Sequence, residues 1–213
     1  ELSQAYRFGI FGLKEDFKKA FELTKLAASK NYPKAFTSLG DMYQEGEGTN
    51  INNKKAIESY EKGVELGVND SMNELAKYYI DGTYLKQDIK KGINLLEKSI
   101  KPSEFIINSN SYGQLGWCYL NELPNNKKNL SKAIAYLEQG EKEEDPFSSY
   151  LLGECYKNGR GLEINYKKAY KLYYVGHLKG HIASSFSLAK CFYDGIGIKK
   201  SYKKSLEIFK ELD

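Results

Sequence analysis

A motif built on leucine recurs six times in this chain of 213 residues, and that periodicity restricts the fold to a stack of similar units. In each copy a small residue follows the Leu, an aromatic stands four residues after it, and a Gly usually comes three later. The copies are Leu2-Ser3-Tyr6-Gly9, Leu39-Gly40-Tyr43-Gly46, Leu75-Ala76-Tyr79-Gly82, Leu115-Gly116-Tyr119 with Glu122 in place of the glycine, Leu152-Gly153-Tyr156-Gly159 and Leu188-Ala189-Phe192-Gly195. Successive leucines are 37, 36, 40, 37 and 36 residues apart.

Residues four apart share one helical face, so each Leu and aromatic mark the buried side of a first helix, A, and the small residue admits a close neighbour. Glycine pairs such as Gly46-Glu47-Gly48, Gly159-Arg160-Gly161 and Gly195-Ile196-Gly197 then supply a turn that side chains would resist. Next stand Asp16, Asn52, Asp88, Asn129, Asn165 and Ser201, residue types that cap the amides opening a second helix, B. Asn31, Gly67 and Gly180 mark its left-handed end. The spacing predicts an all-α, right-handed α-α superhelix of about six antiparallel helix pairs in one array. Its units lie near residues 1–33, 34–69, 70–111, 112–146, 147–181 and 182–213, the terminal two incomplete, with exposed apolar ends expected unless further repeats or a cap exist. Two connections look irregular: Ile100 to Ser111, which contains Lys101-Pro102-Ser103, and the acidic stretch Glu141 to Asp145 before Pro146.

Composition narrows the function classes. A chain that is 41% hydrophobic and 14% aromatic is not disordered. Its net charge of +4 is too small to point to nucleic acid, so that partner class is not expected. No apolar run approaches the roughly 18 residues that span a bilayer, and the segment is expected to be soluble. A start at Glu1 fits either an excised segment or a chain that has lost a leader, which leaves the compartment open.

The order Leu-Gly, Tyr, Gly-x-Gly, Asp or Asn, Lys-Ala and a tyrosine-rich B helix resembles the Sel1-like repeat family, relatives of tetratricopeptide arrays. Leu39 through Gly67 is the clearest copy; Gly92 and Ser205 stand where Ala is usual. The resemblance implies a scaffold or adaptor that holds another protein or peptide in a groove, without catalysis or a small-molecule cofactor. It also implies possible settings in bacterial host interaction or in neutralising effector toxins. Ligand binding or a weak hydrolase activity in the groove is the alternative.

Other candidate chemistry is thin. Cys118, Cys155 and Cys191 occupy one position of helix A, three residues after the Leu, and read as buried, unbridged thiols. Neighbouring A helices about 8–10 Å apart exceed the roughly 7 Å limit of a disulfide. Such thiols lean towards a cytoplasmic setting. His177 and His181 have metal-ligand spacing but no carboxylate or cysteine close in sequence, so no metal is expected. Lysine pairs open most B helices (Lys18-Lys19, Lys54-Lys55, Lys90-Lys91, Lys167-Lys168, Lys203-Lys204) and read as a solvated basic edge or an anion-binding strip.

Positions two and five residues after the Leu should face the groove. The first set is Asp41, Lys77, Trp117, Glu154 and Lys190, and the second is Gln44, Ile80, Leu120, Lys157 and Tyr193. Ile80, Trp117 and Leu120 then form an apolar patch in a polar groove. Either it is an interaction hot spot, or the connection over 100–111 covers it with Phe105, Ile106 and Ile107.

Overall fold

The structure is a computed structural model that describes residues 1–101 and 110–212. These residues form twelve α-helices and no strand. The chain divides into two compact units, residues 1–108 and 109–213. Unit 1 holds α1 (Leu2–Phe8), α2 (Phe17–Ser29), α3 (Pro33–Glu45), α4 (Asn53–Glu65), α5 (Asn69–Asp81) and α6 (Ile89–Ser99). Unit 2 holds α7 (Asn110–Asn121), α8 (Lys127–Lys142), α9 (Pro146–Asn158), α10 (Tyr166–Leu178), α11 (Ile182–Asp194) and α12 (Tyr202–Lys210). Odd-numbered helices are A helices and even-numbered ones B helices, and each A helix packs against the B helix that follows it as a hairpin.

The turn between A and B is closed by one repeated bond. The amide of the capping residue donates to the carbonyl of the signature aromatic: Asp16 to Tyr6, Asn52 to Tyr43, Asp88 to Tyr79, Asn165 to Tyr156 and Ser201 to Phe192, all at 2.7–2.9 Å. The side chains of Asp16, Asn52, Asp88 and Asn165 then accept from amides three residues on at 2.9–3.0 Å, each cap contributing about 1 kcal/mol. Gly48 and Gly197 adopt φ of 67° and 71° for a second reason besides the turn. A Cβ on Gly48 would lie 2.6 Å from the carbonyl carbon of Phe17, and one on Gly197 would lie 2.5 Å from that of Tyr166, so each turn rests on the preceding B helix.

The fourth hairpin departs from the expected cap. Asn126, not Asn129, caps α8, accepting from the Asn129 amide at 3.0 Å, while the Asn129 side chain donates to the Pro124 carbonyl. Without glycines the Glu122-Leu123-Pro124 turn is shorter, and the residues that form loop elsewhere become the first turn of a 16-residue helix. The acidic connection before Pro146 is regular rather than irregular. Glu144 takes the left-handed position (φ 62°) that Asn31, Gly67 and Gly180 take elsewhere, and buried Asp145 caps α9 through the amides of Phe147 and Ser148. Of the connection expected over 100–111, Ile100 caps α6 and Asn110 already begins α7; residues 102–109 lie outside the described residues.

The lysine pairs divide in two. The second lysine of each pair lies over the signature ring of its own hairpin: Lys19 over Tyr6 and Lys91 over Tyr79 at 4.2 Å, Lys55 over Tyr43 at 5.4 Å, Lys168 over Tyr156 at 4.9 Å, and Lys204 over Phe192 at 5.4 Å. Lys132 does the same over Tyr119 at 5.1 Å, so the contact recurs in all six hairpins. A cation over a ring face at an exposed site is worth about 0.5–1 kcal/mol. Lys91→Met is therefore expected to lower the unfolding free energy by about 0.5 kcal/mol or more, and Lys90→Met to leave it unchanged in a urea titration. Equal effects would show that the ring contact contributes nothing.

Candidate functional site

The signature leucines Leu39, Leu75, Leu115, Leu152 and Leu188 are buried, which turns the opposite side of each A helix outward. Along α3 that side carries Lys34, Thr37, Ser38 and Asp41, and along α9 it carries Phe147, Tyr150, Glu154 and Asn158. The outward face thus begins five residues before the Leu and runs through the position two after it.

In unit 1 the faces of α1, α3 and α5, with part of α2, line a recess of about 710 Å³. Its charged lining is Glu1, Asp41, Asp70 and Glu74 against one lysine, Lys34. Asp41 is half-buried and accepts a hydrogen bond from the Tyr60 hydroxyl at 2.9 Å. Burial pushes its carboxyl up to about 6; the Tyr60 hydrogen bond pulls the other way, and the nearby Glu74 adds to the rise. Gln44 accepts from the hydroxyls of Tyr60 and Tyr78 at 3.2 and 2.9 Å. Lys77 pairs with Glu74 at 2.6 Å and borders a second recess, of about 280 Å³, with Tyr78 and the exposed Tyr84.

In unit 2, Trp117 is half-buried and lines a recess of about 270 Å³ with Phe147, Tyr150 and Glu154. Tyr150 also borders a neighbouring recess of about 690 Å³ formed with His181, Ile182 and Phe186. Ile182 and Phe186 are 72% and 51% exposed. Glu154 accepts from the Tyr173 hydroxyl at 2.6 Å and pairs with Lys157 at 2.7 Å. Burial would raise the Glu154 carboxyl, but hydrogen bonds from Lys157, Tyr173 and Asn158 outweigh it and hold the group below its usual range. Lys190 is exposed on α11, and Tyr193, also exposed, meets Tyr202 edge to face at 5.2 Å.

Two expected groove residues are not on the surface. Ile80 is 4% exposed because its side chain fills the space over Gly92, where other B helices carry Ala or Ser; a Cβ there would come within 2.6 Å of Ile80 Cγ1. Leu120 is also 4% exposed, and the guanidinium of Arg160, from the next turn, reaches over to its carbonyl and to Asn121. The apolar patch expected from Ile80, Trp117 and Leu120 therefore does not form. The covering role of Phe105, Ile106 and Ile107 lies outside the described residues. Among the described residues an apolar surface instead forms where Trp117, Phe147 and Tyr150 line one recess and Tyr150, Ile182 and Phe186 the next. The signal for it was available: Phe147 and Tyr150 precede Glu154 by seven and four residues, on one helical face.

Cys118, Cys155 and Cys191 are buried, and burial pushes the thiols of Cys155 and Cys191 up to about 11, so neither is a nucleophile near neutrality. Among the described residues no group of histidines, cysteines and carboxylates could hold a metal ion. His177 Nδ1 lies 2.9 Å from the Ser185 hydroxyl and its Nε2 lies 3.8 Å from Glu211. That order imitates a hydrolytic triad, yet Ser185 is 4% exposed and its hydroxyl has a second bond to the His181 carbonyl, so a substrate has no path to it. His181 caps α11 by accepting from the Ser184 amide, and burial lowers its pKa, in keeping with a neutral ring.

Paired helices repeating every 36 to 40 residues, with outward-facing recesses, define an all-α helical-hairpin repeat protein. Residues 1–32, 37–68, 69–101, 109–143, 146–174 and 182–211 each match the Sel1 repeat, and the chain belongs to the Sel1 repeat family. Over 101 residues it is 32% identical to chitin synthase regulatory factor 3 of Schizosaccharomyces pombe; the match takes in 47% of this chain and 11% of that much longer protein. A Sel1 repeat protein from Oxalobacter formigenes superposes with a TM-score of 0.84 at 25% identity, over 99% of this chain and 84% of that one. An immunity protein from Pseudomonas aeruginosa shares the fold with a TM-score of 0.67 at 19% identity, over 99% and 80% of the two chains. Proteins of this family are scaffolds suited to protein-protein interaction and are generally not enzymes. No helix among the described residues is long and apolar enough to cross a membrane.

Proposed function

We propose that this chain is an adaptor that holds a partner protein against the outward faces of its A helices, and that the aromatic recesses of unit 2 take the partner's apolar anchor. The observation that carries this reading is the exposure of Ile182 and Phe186 beside Tyr150, which is shared by two adjoining recesses, the smaller one also lined by Trp117 and Phe147. A single apolar residue on a surface means little, but a contiguous aromatic group with polar neighbours has the composition of a binding hot spot. Glu154, Lys157, Lys190 and Tyr193 are the polar and aromatic groups that accompany it on α9 and α11, while Asp41 and Lys77 stand on α3 and α5 of unit 1. An adaptor in the neutralisation of a toxin would use such faces, as would one that regulates an enzyme.

The test is capture of partners from the source cell followed by cross-linking and mass spectrometry. Trp117→Ala combined with Tyr150→Ala is expected to weaken capture by tenfold or more, since aromatic hot spots are commonly worth about 2 kcal/mol each, while helicity is retained. Cross-links confined to the B-helix faces, with capture undiminished in the variant, would overturn the reading.

A further inference from the structure

Asp41 and Glu154 are the same device in two hairpins. Each lies two residues after the signature Leu and directly after a glycine, Gly40 or Gly153. Each accepts a hydrogen bond from the tyrosine nineteen residues on, Tyr60 at 2.9 Å and Tyr173 at 2.6 Å. The glycines make this possible: a Cβ on Gly40 would lie 2.7 Å from Tyr60 Cδ1 and one on Gly153 would lie 2.6 Å from Tyr173 Cε1, so only a bare backbone lets the phenol through.

The two hairpins differ in the acid, Asp41 against Glu154, and in the residue beside it. Three residues beyond Glu154 stands Lys157, whose ammonium sits on the carboxylate at 2.7 Å. Three residues beyond Asp41 stands Gln44, which carries no charge and accepts from Tyr60 and Tyr78 instead. Among the described residues no cation is within ion-pair distance of Asp41. Arg7 of α1 is held by Glu45 and Glu47, Lys77 of α5 by Glu74, and Lys34 stands two helical turns up α3, roughly 10 Å away. The carboxylate without a counter-ion is also the one that opens on the recess of about 710 Å³, whose other charged groups are mostly acidic.

We infer that Asp41 receives the ammonium of a partner lysine, which takes the place that Lys157 fills on Glu154. The inference rests on the adaptor reading above and adds the chemistry of one contact. Burial raises the Asp41 carboxyl, with Glu74 of α5 and Glu45 of α3 adding to the rise and Tyr60 of α4 and Arg7 of α1 opposing it, as expected for an ion whose compensation is incomplete. A lysine that enters the recess meets a preformed acceptor, fixed by Tyr60, at little cost in ordering.

The full chain is titrated with acetyl-Gly-Ser-Lys-Ser-Gly-amide and with the same peptide bearing Nε-acetyllysine, and amide shifts are followed by NMR. The lysine peptide is expected to shift the amides from Ser38 to Gln44 saturably. Binding should weaken by at least about tenfold for the acetylated peptide, for Asp41→Asn, and for Gln44→Lys, which supplies the counter-ion from within. Identical titrations with both peptides, or shifts that survive in both variants, would overturn the assignment. The same two variants enter the capture experiment. Partner capture that fails only in the Trp117 and Tyr150 variant, and stands in Asp41→Asn and Gln44→Lys, sinks the lysine contact and leaves the adaptor reading intact. Loss of the adaptor reading with the peptide titration intact has the opposite signature.

Discussion

Replacing Gly40 with alanine is expected to lower the unfolding free energy by about 2–3 kcal/mol, and adding Tyr60→Leu to the same chain is expected to recover much of that loss. The new methyl would lie 2.7 and 2.8 Å from Tyr60 Cδ1 and Cζ, inside contact distance of a ring that is fully buried. The ring cannot tilt away freely, because its hydroxyl is anchored on Asp41 and Gln44. Either α3 and α4 move apart or those hydrogen bonds break. The third hairpin carries the proposed solution: Ala76 and Leu96 occupy the two equivalent positions, both fully buried. Urea unfolding of the wild type, both single variants and the double variant gives a coupling energy, expected near 1 kcal/mol or more in favour of the pair. Strict additivity would mean that the two positions do not share one space, and that the small residue of helix A has another cause.

The fold was largely legible because each repeat states the same rules. A Leu and an aromatic at helical spacing, a glycine turn and a capping side chain agree with one another, and the structure follows them closely, except that Leu2 of the first hairpin is 55% exposed where the other five leucines are buried. The failures fall where one residue type stood in for another. Asn129 has the cap's identity, but a short turn without glycines moved the cap to Asn126. Glu144 adopts a left-handed conformation that composition would assign to Gly or Asn, because Asp145 immediately after it fixes the next helix.

The candidate face was legible in part. Asp41 and Glu154 were readable from helical phase, but the tyrosines that reach them come from the partner helix and enter through a glycine gap, a contact no local pattern encodes. Ile80 and Leu120 were misplaced for a related reason. Their burial depends on the missing side chain of Gly92 and on an arginine forty residues downstream. The lysines before the small residue of helix B are exposed, as a solvated edge requires, and each in addition lies over a ring thirteen residues or fewer upstream, which no charge pattern encodes.

Asp41→Asn is expected to stabilise the chain at pH 8 and to do so progressively less as the pH falls. The folded-state pKa, about 6, lies above the ordinary 3.8, so between those values the fold binds a proton that the unfolded chain has released. That contribution to stability is complete below about 3.8 and is lost as the pH rises through about 6. A displacement of this size corresponds to on the order of 2 kcal/mol for a side chain that is mostly shielded from solvent. Asparagine keeps an oxygen that accepts from Tyr60 and never ionises, so it avoids the loss. His181, whose pKa is lowered, works in the other direction: its contribution is present above about 6.5 and fades as the pH falls. It is common to both proteins, so the difference between their urea unfolding curves isolates Asp41. That difference should grow by on the order of 2 kcal/mol between pH 4 and pH 8. Parallel curves would mean that the carboxylate is fully compensated in the folded chain, and with that the reason for it to recruit a lysine from outside would disappear. A widening difference would identify a charge held at a cost to the fold, and such a cost is offset only when a cation arrives.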